Sequence, residues 1–410
     1  MADRARRTTP RAISWWWALW GALAVVLAVW GSTAWLLAQT NSAQAALRMD
    51  AIKTGLSVGA GTGGGVALVL AIRRQWLGER AQLHTEQDAR ERRITELYGK
   101  AAEQLGNERA PVRLAGLYAL ERLAQNNPDH RQTIVDVICA YLRMPYIPPA
   151  TIAPDVGSPS PTTSGTPEPA ATADEELQVR LTAQRILVNH LRPHREPWSA
   201  DEHTPTDAQF WADIKVNLSA AVLVDFDFAY CRARLPHFTA AHFYGQATFS
   251  YCRTLALDLT QAVFHDRAYF HNAVIDGGAA FDGAVFHGDV NLSDARFTGD
   301  QARFPATVFH GTAAFHKTRF GGHARFDGAV FHRQTWFTHS TFHAGAWFGT
   351  WSEEAPYATS ASCGDAVFHN DVDFEGVTVT DPTGPNVWPT GWTVTHTTAS
   401  SATLTRNSPR

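Results

Sequence analysis

Large apolar residues recur through the second half of this chain with a beat that neither a helix nor an ordinary strand satisfies. They stand at Phe264, Phe270, Ile275, Phe281, Phe286, Leu292, Phe297, Phe304, Phe309, Phe315, Phe320, Phe326, Phe331, Phe337, Phe342 and Phe348. Steps of five and six residues alternate, apart from one step of seven between Phe297 and Phe304. Helices and strands repeat at 3.6 and 2.0 residues, so an amphipathic helix and a simple strand both fit poorly. Two residues before each of these 16 positions stands Ala in 11 cases, Thr in three, and Ser and Val once each. The heptapeptide FDGAVFH, present at Phe281–His287 and again at Phe326–His332, carries the rule in full.

A square coil explains this beat. Each side of five or six residues turns one small and one large residue inward, and coils stack about 4.8 Å apart through backbone hydrogen bonds. Four sides give a coil of about 22 residues. YCR at Tyr230–Arg232 and again at Tyr251–Arg253, 21 residues apart, then sits directly above itself. Cys231 and Cys252 read as stacked small residues rather than a redox pair. The run AVF–HG–AAF–TRF–ARF–AVF resembles the pentapeptide-repeat family, whose units centre on Leu or Phe with Ala two residues before. The resemblance covers Phe210 to Val379 and implies a right-handed quadrilateral β-helix, assigned to 210–380. Residues 1–145 are similar to membrane-anchored bacterial members of that family, most specifically through TGLSVGAGTGGGVALVLAIRRQWL and APVRLAGLYALERLAQ.

The amino-terminal composition points to a membrane on its own. No charged residue occurs from Ala12 to Leu47, and six of the 14 tryptophans lie between Trp15 and Trp35. A basic tail (1–12) therefore precedes a first transmembrane helix at 13–38, since about 20 apolar residues span a bilayer and indoles settle at its interface. A second span is expected at 54–72. Its GAGTGG formally matches GxGxxG, but no βαβ pattern surrounds it, so no cofactor is expected. Small residues there suit helix packing in lipid. Arg4, Arg6, Arg7 and Arg11 before the first span, and Arg73, Arg74 and Arg80 after the second, place both ends in the cytoplasm of a multi-pass plasma-membrane protein.

Residues 73–144 form the small α-helical region: a charged juxtamembrane helix with Glu86–Arg90, Asp88–Arg92 and Glu96–Lys100 pairs, then a helical pair of HEAT- or armadillo-like character. The juxtamembrane helix offers a route to homo-oligomers. In the second helix of the pair, Asn127 is expected as N-cap with Pro128 at the first helical position. A disordered Pro/Ser/Thr linker (145–173) and a short helix (174–192) follow. The tail (381–410) carries Trp388 and Trp392, which could cap the open end of the stack.

Eight histidines directly follow a repeat centre: His265, His271, His287, His310, His316, His332, His343 and His369. His265, His287, His310 and His332 are spaced by 22, 23 and 22, which aligns them as a ladder on one face. Such a ladder could hold a transition metal or charge together below about pH 6.5. No carboxylate or cysteine recurs beside it to complete a metal site. Catalytic motifs are absent, so the expected function is a non-enzymatic cytoplasmic scaffold with an unknown protein partner. The loop 349–364 interrupts the beat, and its Trp351, Glu353, Glu354 and Tyr357 are the candidate partner contacts. Some members of the resembled family mimic duplex DNA and bind type II topoisomerases, which is the alternative. With 17 acidic against 11 basic residues from Phe210 to Thr380, the acidity is mild, and the net charge of −4 argues against nucleic acid as a partner.

Overall fold

The computed structural model describes residues 71–76, 87–149, 152, 170–193, 209–349, 365–381, 386–398 and 401–407, with isolated positions between 20 and 70. The chain divides into units 1–93 and 94–410. Among the described residues no helix is long and apolar enough to cross a membrane. Most residues of the expected spans at 13–38 and 54–72 fall outside them. The second unit contains all the β-structure among the described residues, together with the helices packed against it.

Four sheets form the sides of a square solenoid, and every strand pairing between successive coils is parallel and in register. All 16 predicted centres are buried, none more than 2% exposed. Their rings stack coil upon coil: Phe264–Phe286 at 4.6 Å, Phe286–Phe309 at 5.1 Å and Phe309–Phe331 at 4.7 Å, all within 9° of parallel. Across the core the columns meet edge to face, as Phe304 and Phe315 do at 5.8 Å and 87°. At three of the four positions where Thr or Ser replaces the inward Ala, the hydroxyl donates to a carbonyl of another coil, and at Thr335 it donates to Arg333 O (3.3 Å). Thr307 reaches Phe281 O (2.7 Å), Thr318 reaches Leu292 O (2.9 Å) and Ser340 reaches Phe315 O. A small polar residue is thereby accommodated in an apolar core without an orphaned donor.

The alternation of five and six reflects two kinds of corner. Five-step corners are tight turns closed by one hydrogen bond, such as Ala284 N–H to Phe281 O (2.9 Å) and Ala273 N–H to Phe270 O (3.0 Å). Each needs a residue with positive φ. FDGAVFH puts Gly283 and Gly328 there, whereas Ala240, Gln261 and Ala306 serve in other coils and Tyr251, Asn272 and Lys317 at the opposite corner. Glycine adopts that region without steric penalty. Six-step corners hold one more residue and bring successive backbones close. A Cβ on Gly311 would collide with the carbonyl of Gly288, and in the seven-step corner one on Gly299 would collide with that of Gly277.

Both ends of the stack are closed. At the first coil the helices α1 (Ala110–Asn126), α2 (Arg131–Arg143) and α3 (Ala170–Leu191) share one continuous core with the solenoid. Two glutamine amides act as edge partners for the exposed backbone. Gln184 on α3 donates to Val224 O (2.8 Å) and accepts from Val224 N–H (3.1 Å). Gln132 on α2 makes the same pair with Lys215, at 3.0 and 2.9 Å. The buried Gln184 thus does what a further strand would do. Gln184→Leu should lower unfolding stability by about 1–3 kcal/mol, because it orphans both groups of Val224. Chemical denaturation monitored by circular dichroism measures this, and an unchanged midpoint would remove the amide from the capping role.

The structure corrects three sequence expectations. α3 begins at Ala170, inside the segment expected as linker. Asn127 does not cap the second helix. Its carboxamide donates to Leu123 O (2.9 Å), closing α1, and a 3₁₀ turn at Pro128–His130 intervenes before α2. Of the three expected juxtamembrane ion pairs, Glu96–Lys100 forms (2.7 Å), Asp88 and Arg92 show no ion pair among the described residues, and Glu86 lies outside them. α1 packs closely on helical residues 94–105 because Gly116 has no side chain: a Cβ there would stand 2.8 Å from Ala101 O and Leu105 N.

Candidate functional site: the outer faces of the solenoid

Because the core is filled by phenylalanine, chemistry is available only outside it. Each side of a coil presents one residue before and one after its centre, so four faces carry columns of side chains.

The histidine face is the most regular. The backbone N–H of each ladder residue donates to the preceding coil: His287 to Phe264 O, His310 to Phe286 O and His332 to Phe309 O, all at 2.8 Å. The rings therefore inherit the coil spacing. His265–His287, His287–His310 and His310–His332 have centroids 5.6, 5.1 and 4.7 Å apart and planes within 18° of parallel. Two further rings, not expected from the sequence, extend the column. Tyr244 stacks on His265 at 4.0 Å, and His369 stacks on His332 at 4.8 Å. Beside them runs a column of half-exposed valines, Val263, Val285, Val308 and Val330, ending at the exposed Val367.

Stacking decides what the ladder can do. Nitrogen lone pairs lie in the ring planes, so parallel rings aim them side by side instead of converging them on one point. No group of three or more His, Cys, Asp or Glu that could hold a metal occurs among the described residues. Protonation is a different matter. Burial first, then the neighbouring imidazoles of His310 and His369, push the pKa of His332 below its ordinary value of 6.5. Burial does the same to His242, whose Nδ1 lies 3.2 Å from His265 Nε2.

A depressed imidazole pKa means that the unfolded chain takes up protons first as pH falls. The stability contributed by neutral His332 and His242 is therefore full above pH 6.5 and is lost as pH falls below that value through their lowered folded-state values. The urea midpoint should drop between about pH 7.5 and 5.5, and His242→Asn/His332→Asn should flatten that drop. An unaltered slope in the double variant would show that neither imidazole titrates against the fold.

The arginine face lies across the core from the valine column. Arg232 and Arg253 are in-register partners, as are Arg296 and Arg319, with Val274 between the two pairs. Tyr230 and Tyr251 stack beside them at 4.9 Å. Cys231 and Cys252 sit inside the same corner, fully buried, and burial drives both thiols up, that of Cys252 to about 12. They are packing residues, as their spacing implies.

Acidic residues form no column on successive coils of the described solenoid. Asp282 is paired with Arg303, and Asp327 with Arg325 at 2.9 Å. The continuous negative stripe that mimicry of duplex DNA needs is not among the described residues.

The candidate contacts Trp351, Glu353, Glu354 and Tyr357 lie outside the described residues. The structure does place the ends of their loop. Ala366 N–H donates to Phe348 O (2.6 Å), the bond that Ala329 makes to Phe326 one coil earlier. The loop is thus an insertion into a five-step corner. The coil closes beneath it, Phe331 pairs with Phe368, and His369 joins the ladder.

No curated protein and no solved structure matches this chain. Residues 259–307 and 304–352, which form the middle coils of the four-sided solenoid, match the family model of the pentapeptide repeats (9 copies).

Proposed function

We propose that this chain is a membrane-anchored, non-enzymatic interaction scaffold whose right-handed solenoid displays recognition faces in the cytoplasm. One observation carries the reading: a core filled from end to end, two closed ends, and outer faces on which side chains of one kind recur in register. A surface of that kind suits recognition by contact along the stack, as in other repeat proteins. The uncharged tryptophan-rich segment near the amino terminus, and the arginines that flank the two apolar segments, support the anchor and its orientation.

A photo-activated cross-linker placed in turn at Ala280, Val308, Ala314 and Thr341 samples the four faces. A discrete product from one face in membranes is the expected result, and equal labelling from all four would overturn the scaffold reading. Reporter fusions after residues 45 and 80 decide the topology. A cytoplasmic signal at residue 80 is expected, and a periplasmic one reverses the placement of the solenoid.

A further inference from the structure

The arginine face holds a set of charges that the fold leaves unbalanced. Arg232 and Arg253 face each other across one coil step, and Arg296 and Arg319 across another. Parallel in-register neighbours lie about 4.8 Å apart, and like charges placed so destabilise a sheet. Arg253 is offset by Asp276 at 2.8 Å. Among the described residues Arg232, Arg296 and Arg319 have no hydrogen bond or ion pair, and the last two are exposed. An anion seated between the members of a pair would relieve the repulsion and, at Arg296 and Arg319, satisfy two planar guanidinium forks at once.

Spacing and surroundings select the anion. The centres of the two pairs are three coil steps apart, about 14 Å. Four residues of extended chain cover about 13.6 Å, and residues i, i+2 and i+4 of such a chain share one face. Between the pairs lies Val274, in register with Arg253 on one side and Arg296 on the other. Nucleic acid carries a charge about every 1.7 Å along its axis and would have to cross Asp276 and Asp294. A chain with two discrete charges sets only one of them near Asp276, at Arg232 and Arg253, and carries none past Val274.

We propose that this face docks an extended acidic segment of a protein partner. Carboxylates four residues apart seat on Arg232/Arg253 and Arg296/Arg319, and the residue midway between them is apolar and covers Val274. The inference rests on the interaction-scaffold reading and names its partner chemistry.

The test is fluorescence anisotropy of the full chain with a labelled Glu-Thr-Val-Thr-Glu peptide at low salt. Binding should weaken on the order of tenfold with Arg296→Glu/Arg319→Glu, and similarly with Arg232→Glu/Arg253→Glu. A Lys-Thr-Val-Thr-Lys peptide should not bind. Both arginine pairs are on the surface, so Arg296→Gln, which removes a like-charged neighbour without reversing charge, serves as the folding control. Equal peptide affinity in the charge-reversed variants overturns the proposal. So does binding of a short DNA duplex or of phosphatidylserine vesicles with none of the peptide. Peptide affinity decides this inference, whereas cross-linking by face decides the scaffold reading. A partner cross-linked to one face and retained by both charge reversals would sink the first and leave the second standing.

Discussion

Phe326→Ala should lower unfolding stability by about 3–5 kcal/mol, the largest effect expected of any single substitution in the stack. Phe326 is fully buried and lies between two parallel rings, Phe304 at 4.8 Å and Phe348 at 4.7 Å. It also meets Phe315 and Phe337 edge to face at 5.6 and 5.4 Å. Removing the ring forfeits both its transfer from water and these aromatic contacts. The coils cannot collapse into the void, because their spacing is fixed by backbone bonds such as Phe326 N–H to Trp347 O (2.7 Å). A solenoid is held together by nearest neighbours, so a cavity in the middle weakens the coupling between its halves. Denaturation should broaden or split as well as shift. Phe326→Leu should cost about 1–1.5 kcal/mol, since Leu218 and Leu259 are buried elsewhere in the core. Far-ultraviolet circular dichroism against guanidinium measures both. A loss under about 1 kcal/mol for Phe326→Ala would mean that the phenylalanine columns are not the principal source of stability.

Much of the fold is legible in the sequence because a repeat states its geometry many times. One Phe at one position says little. Sixteen centres, each with a small residue two places before, fix which side chains point inward. The separation of 45 between the copies of FDGAVFH follows as two coils plus the extra residue between Phe297 and Phe304. Its Asp and Gly turn a corner and its two phenylalanines fill the core. The histidine spacing likewise picks out four members of the ladder. It does not place His369 there, because 37 residues separate it from His332 and the intervening insertion hides the register. Tyr244 escapes because it is not a histidine, although it holds the same column. The helical cap is illegible for a different reason: Gln132 and Gln184 look like ordinary polar helix residues, and only tertiary structure shows them paired with strand edges. Of the candidate sites, the histidines stand out in the sequence but the arginine pairs do not, since they differ in spacing and become neighbours only when coils are stacked.

Trp388→Ala should destabilise the last coils by about 3 kcal/mol, while Trp388→Phe should be close to neutral. The open end of a parallel stack is a template for further strands, and an unprotected one invites association. This end is closed by strands Trp392–Thr398 and Ser401–Arg406, the second of which pairs antiparallel with Thr378–Val379 and so halts the parallel series. Trp388 covers the core beneath. Its ring meets Phe342 edge to face at 5.4 Å and lies over Phe348 at 5.7 Å, while Trp392 meets Phe374 at 5.1 Å. Alanine would open the ends of three phenylalanine columns to water. Phenylalanine would keep most of the apolar cover and remove the indole N–H, which is buried without a hydrogen-bond partner among the described residues. The gain from deleting that orphan offsets the smaller ring. Thermal unfolding together with light scattering separates the outcomes: Trp388→Ala should melt earlier and associate, and Trp388→Phe should do neither. Equal destabilisation by both variants would locate the contribution of Trp388 in its nitrogen instead of its apolar surface.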